Sequence, residues 1–366
     1  MPPSPPSRWF VTDEPHRLGT GWVSGTLGAV LGLTALAAAA CHAWPTLLTL
    51  PETRAHYPAA VRSATCAAIA LAFLLGTLSL ALRRKKTLGI FTLGSSLLAA
   101  SLLGLEPIRT EAPPLLGLDV FALQLLLYTA VFVPLERLWP LRPEQPTFRP
   151  EWWTDLAWFA SSALLVSVTT FLVLTPGNAL ASLVPEAITT PVRTLPLWLQ
   201  VPLAVLASDV VQYHVHRACH RVPFLWRFHA IHHGAQHMDW LAGSRLHLVD
   251  AVLTRALVYA VLALLFDVRA IGIYLMFVAA QATFVHANVQ WRLRWLEPWL
   301  VTPRFHHWHH GDAVADVNFA VHLPWLDRLF GTFHLPDAVW PERYGLANGV
   351  QGPRGFWRQF AAPFRR

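Results

Sequence analysis

A series of apolar segments limits what this chain can fold into, since each is close to the length that a helix needs to cross a lipid bilayer. Such a helix requires about 20 predominantly apolar residues. The segments lie at about residues 22–41, 64–82, 88–105, 115–134, 154–174, 195–213, 249–266 and 270–289. Charged residues make up only 13% of the 366 residues, whereas a soluble protein carries about 25%. The sequence therefore predicts an all-α, polytopic bundle of transmembrane helices.

The basic residues lie mainly between these apolar segments, and they predict an orientation. The chain has 28 Lys and Arg against 21 Asp and Glu, with basic residues at 83–86 and in the loop 135–153. Lys and Arg are enriched in cytoplasmic loops, so both places are expected on the cytoplasmic face. Counting helices from there puts residue 214 and residues 290–366 on the same face. The basic excess does not form the patch of a nucleic-acid-binding surface, so no nucleic-acid partner is expected.

Histidine is concentrated in one part of the chain. Of the 18 histidines, fifteen lie between His214 and His334. They form dense groups within residues 214–220, 229–233 and 306–310. The pattern H-x-x-H-H, expected by chance about 0.04 times in a chain of this composition, occurs in both of the last two groups. Residues three and four positions apart share a helical face, so each group can present several imidazoles in one direction.

The first group extends a polar helical face. Asp209, Tyr213, His216 and His220 follow one another at offsets of 0, 4, 7 and 11 residues. These offsets place all of them on the same side of a helix. Cys219 points away from that face, and we interpret it as a small packing residue.

A metal centre explains the dense groups better than independent histidines do. Crowded imidazoles cannot all be protonated, and burying them unpaired is costly. Imidazole suits Zn, Cu, Fe and Ni, and the number of histidines exceeds the four ligands of one tetrahedral site, so two metal ions are expected. The sequence has no H-E-x-x-H motif, which a zinc metalloprotease would need. The isolated histidines are interpreted as surface or core residues; these are His16, His42, His56, His237 and His334.

At these residues the chain resembles the sterol desaturase/fatty acid hydroxylase superfamily of integral-membrane di-iron oxygenases. The resemblance covers roughly residues 115–345 and rests on a series of motifs in a fixed order. They are D-x-x-x-Y-x-x-H-R-x-x-H at 209–220, R-V-P-F-L-W-R-F-H-A-I-H-H at 221–233, S-R-L-H at 244–247, F-V-H-A-N at 284–288, P-R-F-H-H-W-H-H at 303–310, D-V-N-F at 316–319 and W-L-D-R-L-F-G-T at 325–332. So many ordered matches are specific for the superfamily but not for a substrate.

The resemblance implies a di-iron site and its ligands. The implied ligands are His216, His220, His229, His232, His233, His306, His309 and His310, with His286 and His247 as further candidates. Supporting residues at the site are Asp209, Tyr213, Arg245, Asp316 and Asn318. Asp209, Arg245, Asp316 and Asn318 are expected to orient imidazole N–H groups, although helix capping or interfacial pairing explains them equally well. His214, His307 and His322 are expected to support the site rather than to bind metal.

The resemblance also implies an activity and a division of the chain. The activity is an O2-dependent hydroxylation or desaturation of an unactivated C–H bond in a membrane lipid, with two iron ions, for which zinc can substitute. The sequence has no His-Pro-Gly-Gly haem motif, so electrons are expected from a separate ferredoxin, flavoprotein reductase or cytochrome. Residues 115–345 would form the di-iron domain, 1–114 accessory transmembrane helices and 346–366 a basic amphipathic tail.

Two other functions are compatible with a histidine-rich membrane protein. A divalent-metal transporter can use histidines along an ion pathway, but here they lie near helix ends, and Asp119 is the clearest charge within an apolar segment. The sequence also shows no inverted repeat. A zinc-dependent membrane hydrolase would need a general base, for which Asp209, Asp239 or Asp250 are candidates.

Overall fold

The computed structural model describes residues 19–50, 59–105, 107, 117–337, 339–347 and 350–365. Within these residues the regular structure is helical, and β-pairing is limited to two isolated bridges, Pro140 with Val289 and Gly311 with Tyr344. The predicted all-α fold is therefore confirmed. The predictions for His16 and His56 lie outside the described residues.

The helices of five or more residues are numbered in chain order within the described ranges. They are α1 (Trp22–Ala43), α2 (Ala59–Leu82), α3 (Thr87–Leu103), α4 (Leu118–Leu138), α5 (Trp152–Leu164), α6 (Val166–Ala181), α7 (Glu186–Arg193), α8 (Leu197–Arg221), α9 (Pro223–His233), α10 (Leu248–Leu265), α11 (Val268–His286), α12 (Pro303–His309), α13 (Trp325–Leu329) and α14 (Phe356–Ala361). Single helical turns lie at Pro45–Leu48, Ala242–Ser244 and Ala362–Phe364.

The chain divides into two compact units. The described residues of Met1–Leu126, together with Ala163–Ser167, form the first unit, and those of Leu127–Ser162 and Val168–Arg366 form the second. All three histidine-rich groups belong to the second unit. The boundaries expected from the sequence, after residues 114 and 345, stay predictions.

In the first unit, α1, α2 and α3 approach one another closely through small residues. A Cβ atom added at Gly28 would lie 2.8 Å from Thr92 Cγ2, too close for two carbon atoms. Ser79 Oγ donates a hydrogen bond to the Gly21 carbonyl at 2.8 Å, and Thr92 Oγ1 donates to the Gly25 carbonyl at 3.3 Å. Small residues and hydroxyl bonds are typical of helix contacts in membranes, where apolar surface alone gives helices little reason to associate.

The described residues contain five helices that are long and apolar enough to cross a membrane: α1, α2, α4, α10 and α11. Two bent pairs, α5 with α6 and α7 with α8, raise the number to seven if each pair is one span. These are the properties of a multi-pass membrane protein, as the apolar segments predicted.

Three of the predicted segments have different bounds from those expected. The segment 88–105 forms α3, which has only 17 residues. The segment 154–174 is divided between α5 and α6, which are bent by 50° relative to each other. The segment 195–213 continues helically to Arg221 as part of α8. Its polar extension is stable because Tyr213 and His216 are buried in the protein, which an apolar pattern alone does not reveal.

The second unit brings the ends of several helices together. α8 packs against α10 and α11 through a core of Ala204, Val258, Leu262, Phe266, Ala270, Ile271 and Tyr274. A second core joins the end of α8 to the end of α11 and to α12; it contains Tyr213, Val285, Val301, Phe305, Phe319, Ala320 and Leu326. Glu136, in the last turn of α4, accepts hydrogen bonds from the amides of Trp240 at 2.7 Å and Asn288 at 3.0 Å. The histidine-rich segments therefore converge at one end of this helical unit.

Candidate metal centre

Four helices supply the clustered histidines. α8 carries His216 and His220 one turn apart, and α9 carries His229, His232 and His233. His286 is the last residue of α11. His306 and His309 belong to α12, and His310 is its C-cap. The two H-x-x-H-H motifs thus form short helices that face each other across the site.

The nine histidines form two clusters, in each of which the ligand atoms lie within 4.8 Å of one another. The five-histidine cluster contains His216, His220, His229, His233 and His309. The four-histidine cluster contains His232, His286, His306 and His310. Neighbouring residues of both H-x-x-H-H motifs go to different clusters, so each motif serves both. The geometry accordingly offers two adjacent sites, in agreement with the expectation of two metal ions.

The separations between Nε2 atoms match those of ligands on a shared metal ion. In the four-histidine cluster, His306 Nε2 lies 3.0 Å from His286 Nε2 and 3.2 Å from His310 Nε2, and His286 Nε2 lies 3.4 Å from His232 Nε2. Two imidazole nitrogens at about 2.0–2.1 Å from one metal ion lie about 2.9–3.4 Å apart in octahedral or tetrahedral geometry. The three measured separations all fall in this range.

The hydrogen bonds of the Nδ1 atoms show which ring nitrogens carry protons. Several histidines place Nδ1 against an oxygen that accepts: His216 against Phe319 O at 2.8 Å, His229 against Asp250 Oδ2 at 2.8 Å, His232 against Arg245 O at 3.1 Å, His286 against Ala282 O at 2.6 Å and His309 against Val317 O at 2.8 Å. In each ring Nδ1 is therefore the donor, and Nε2 keeps its lone pair. This arrangement is the usual one for metal-binding histidine.

Two contacts bring such lone pairs face to face. His216 Nε2 lies 3.1 Å from His229 Nε2, and His232 Nε2 lies 3.4 Å from His286 Nε2. Since all four Nδ1 atoms donate elsewhere, neither member of a pair can donate to the other. Opposed lone pairs in a buried site repel each other, and a cation between them converts the repulsion into two bonds.

Further buried nitrogens of the clusters have no hydrogen-bond partner within the described part of the chain. They include Nε2 of His220, His233 and His309, all three in the five-histidine cluster. A buried polar atom without a partner costs about 1–3 kcal/mol. So many in one place indicate a bound group that the protein alone does not provide, and imidazole nitrogens are ligands for transition metals.

Burial keeps the clustered imidazoles in the form that binds metal. Burial, with repulsion from neighbouring imidazoles as a further cause, holds the pKa of each of the following well below its usual range: His232, His233, His306, His309 and His310. The charged form loses its hydration in the interior, and a second imidazolium nearby repels it. These rings are therefore neutral at physiological pH, as metal ligation requires.

Three of the predicted supporting residues contact segments that follow α12 and α13. Asp209 accepts hydrogen bonds from the amides of Val321 at 2.9 Å and Leu323 at 2.6 Å. Tyr213 OH lies 2.8 Å from Thr332 Oγ1. Asn318, with φ of 57°, donates from Nδ2 to the carbonyls of Phe305 and His334. Asp209 and Asn318 thus contact the loop that carries the carbonyl oxygens of Val317 and Phe319, which accept from His309 and His216, whereas Tyr213 contacts the segment after α13.

The other two predicted supporting residues lie nearer the histidines. Asp316 Oδ1 is 3.8 Å from His220 Nδ1, and its second oxygen is 3.4 Å from Arg221. The backbone carbonyl of Arg245 accepts a hydrogen bond from His232 Nδ1. The guanidinium of Arg245 is buried and donates to Asp155 Oδ1 at 2.5 Å.

Arg245 belongs to a buried network of ion pairs below the site. Asp155 also accepts from Arg149 at 2.7 Å, and Arg149 donates to both oxygens of Asp239 at 2.6 and 2.7 Å. Asp239 Oδ1 in turn accepts from the amides of Leu241 and Ala242. The network ties α5 to the segment between α9 and α10, and thereby fixes the carbonyl that orients His232.

The remaining histidines lie outside both clusters. His247 is a predicted ligand, but its ring contacts Val249 N at 3.2 Å and Phe360 O at 3.2 Å. His307 Nδ1 lies 2.8 Å from Tyr344 OH, and His322 Nδ1 lies 2.5 Å from Gln281 Oε1. His214 is exposed beside Tyr213. His42, His237 and His334 are likewise not members of a cluster.

Sequence reasoning missed Asp250 as the partner of His229. The residue lies in the first turn of α10, is buried, and accepts from His229 Nδ1. Its carboxylate stands at the start of an otherwise apolar segment, and an ionisable residue in such a place is a signal of function. Cys219, interpreted as a packing residue, is buried with Sγ 3.8 Å from Asp250 Oδ1.

Comparison with known proteins agrees with this geometry. Residues 201–332 match the family model for fatty acid hydroxylase, and all nine clustered histidines lie within the match. Over 174 residues the chain is 33% identical to ornithine lipid hydroxylase OlsE of Rhizobium tropici. The aligned region covers 47% of this chain and 52% of that protein. Over 164 residues it is 29% identical to alkylglycerol monooxygenase of Danio rerio, covering 44% of this chain and 35% of that protein.

The human alkylglycerol monooxygenase is 31% identical over 149 residues, which cover 40% of this chain and 33% of that protein. The chain thus spans about half or less of the length of these curated relatives. No solved structure matches it. Through the segment that carries the two clusters, the chain is similar to members of the sterol desaturase/fatty acid hydroxylase superfamily.

Proposed function

We propose that this protein is an integral-membrane lipid hydroxylase whose two histidine clusters hold two iron ions. The observation that carries the proposal is the pair of opposed Nε2 lone pairs, His216 with His229 and His232 with His286. Each pair is buried in a different cluster, and each needs a cation. The family match and the names of the relatives, a lipid hydroxylase and a lipid monooxygenase, support oxidation of a lipid.

The proposed ligands are the nine clustered histidines, without His247. Iron bound there would supply the activation of O2 that hydroxylation of an unactivated C–H bond requires. Five of these rings direct their Nδ1 proton at a carbonyl oxygen or at Asp250, which leaves Nε2 available to bind the metal. Because these partners are in place before metal binds, the ligands need little reorganisation.

The substrate, the electron donor and the orientation follow from the same proposal. A membrane lipid reaches the site from the bilayer, because the clusters lie at the ends of membrane-spanning helices. Electrons come from a separate ferredoxin, flavoprotein reductase or cytochrome. The basic loop 135–153 supports a cytoplasmic position for the metal end of the helices, where such a donor is available.

The structure offers little support for a hydrolase. A hydrolytic mechanism needs a carboxylate that is free to act as a general base. Asp250 is bonded to His229, Asp209 to two backbone amides, and Asp239 to Arg149. All three candidate bases are therefore engaged within the protein. The relatives also favour hydroxylation over desaturation, since both are named for oxygen insertion.

The proposal is tested by oxygen labelling. The full-length protein in membranes is supplied with a reducing system, a bacterial lipid extract and ¹⁸O2, and the lipids are analysed by mass spectrometry. We expect a lipid product that gains one ¹⁸O atom with wild-type protein and with the exposed-residue control Arg294→Ala, but not with His232→Ala or His309→Ala. A product labelled from H2¹⁸O instead, or formed equally by both cluster variants, would show that the proposed function is wrong.

A further inference from the structure

The ring of His247 is fully used by hydrogen bonds within the protein. Val249 N lies 3.2 Å from His247 Nδ1. A backbone amide can only donate, so Nδ1 is the acceptor and the proton of the neutral ring is on Nε2. Nε2 then donates to the Phe360 carbonyl at 3.2 Å. No lone pair is left for a metal ion, although the sequence motif indicated a ligand.

The bond to Val249 makes His247 the N-cap of α10. Its backbone angles are extended (φ −64°, ψ 138°), and its carbonyl accepts from Ala251 N at 2.9 Å. An N-cap side chain satisfies one of the first amides of a helix and so fixes the position of the first turn. That turn contains Asp250, the acceptor for His229 Nδ1.

The segment around α14 covers the other side of the His247 ring. Phe360 stacks on it at 5.2 Å between ring centroids with 26° between the planes, and Phe364 lies 5.7 Å away. Phe228 of α9 and Trp158 of α5 complete the enclosure at 5.0 and 5.8 Å. His247 is therefore buried, with only 1% of its surface exposed.

Gln359 fastens the same segment to α5. Its Oε1 accepts from Trp158 Nε1 at 2.7 Å, and its Nε2 donates to Glu151 Oε2 at 3.1 Å and to the Pro353 carbonyl at 3.0 Å. These bonds fix Gln359, and the next residue, Phe360, therefore has its carbonyl opposite His247 Nε2.

We propose that His247 and residues 356–364 form a latch that holds Asp250 against His229 and thereby completes the five-histidine cluster. His247 is a positioning residue in this account. Residues 356–364 are bonded to the His247 ring, the ring caps α10, the first turn of α10 carries Asp250, and Asp250 orients His229. The contacts of the His247 ring lead only to the five-histidine cluster, whereas Gln359 reaches the other cluster indirectly, through Glu151 and Arg245, whose carbonyl accepts from His232. The inference rests on the proposed metal centre.

The latch is tested by the rate at which the full-length protein loses metal. Protein loaded with Zn²⁺ is mixed with a chromogenic chelator, and release of the two ions is followed in wild type, His247→Leu, His247→Asn, Phe360→Ala and the exposed control Arg294→Ala. Partners of metal-bound histidines contribute about 10–100-fold to affinity. We expect one of the two ions to leave at least about 10-fold faster from His247→Leu, and also faster from Phe360→Ala, which removes the ring that stacks on His247.

Asparagine can accept from Val249 N, so His247→Asn should restore much of the slow release, whereas a general loss of packing would not be rescued. Phe360→Ala decides the question if His247→Leu does not yield folded protein. Release at the wild-type rate from His247→Leu and from Phe360→Ala, or equal acceleration of the two ions, would overturn the latch and leave the metal centre intact. A wild-type protein that binds no Zn²⁺ would instead overturn the metal centre itself.

Discussion

His233 and His310 stack their rings with 4.5 Å between centroids and 22° between planes. His233 belongs to the five-histidine cluster and His310 to the four-histidine cluster, so the two clusters are in direct contact through this pair of rings. Metal ions bound on either side would therefore be close neighbours. This relationship distinguishes a coupled two-metal centre from two unrelated sites.

Replacing one histidine in each cluster should remove different ions. His232→Ala and His309→Ala belong to different clusters, so each variant should fall from two metal ions per chain toward one. Both should lose at least about 100-fold in lipid oxidation, because a two-metal reaction requires both sites. Metal analysis of purified protein together with product analysis measures both effects. Retention of two tightly bound ions in either variant would remove that histidine from the ligand set.

Asp250 should tune the affinity of the five-histidine cluster. Asp250→Leu removes the acceptor of His229 Nδ1, and loss of such a partner weakens metal binding about 10–100-fold. Asp250→Asn keeps an oxygen acceptor and should show the smaller loss. Competition titration with a chelator of known affinity compares the two variants. Equal affinity in wild type and Asp250→Leu would contradict this role.

The buried ion-pair network should be sensitive to the loss of Asp155. This carboxylate bonds both Arg149 and Arg245, and all three side chains are buried. Asp155→Ala leaves two buried guanidinium groups short of a partner, which costs about 3–5 kcal/mol for a broken buried pair. The exposed pair of Arg294 and Asp337 provides the control, since Arg294→Ala should cost less than about 1 kcal/mol. Thermal unfolding in detergent measures both, and similar losses in the two variants would be unexpected.

His322 should make the fold sensitive to acid. Burial lowers the pKa of His322 from its usual 6.5 to about 3. The unfolded chain binds this proton below pH 6.5 while the folded chain does not, so the free energy of unfolding decreases as the pH falls through that range. Between pH 6.5 and 5 the loss is about 2 kcal/mol for this one group.

The variant His322→Gln should have a shallower dependence of the melting temperature on pH. Thermal unfolding of wild type and variant at pH 5 to 8 compares the slopes. The same slope in both proteins would show that His322 does not contribute to the acid sensitivity.

The helical fold and the clustering of the histidines were predictable from local patterns. Spacings of three and four residues place imidazoles on one helical face whatever the remaining fold is. The sequence alone therefore predicts metal ligands at His216 and His220 and in the two H-x-x-H-H motifs. The apolar segments similarly predicted a multi-pass membrane protein, because length and hydrophobicity suffice for that conclusion.

The partners of the imidazoles were not predictable in the same way. Most of them are backbone carbonyls, such as those of Phe319 and Val317, and every residue type has one. His247 carries the motif of a ligand, but its place depends on Phe360, 113 positions away. The pairing of Arg245 with Asp155 likewise spans 90 positions. Only the tertiary fold determines such contacts.

The most direct test of the central claim is the metal content of protein purified without oxygen, combined with Mössbauer spectroscopy. The two clusters, in contact through His233 and His310, predict about two iron ions per chain and a spectrum of magnetically coupled iron. A single iron ion, two uncoupled ones, or a protein that excludes iron while holding zinc tightly would contradict a di-iron centre at these histidines.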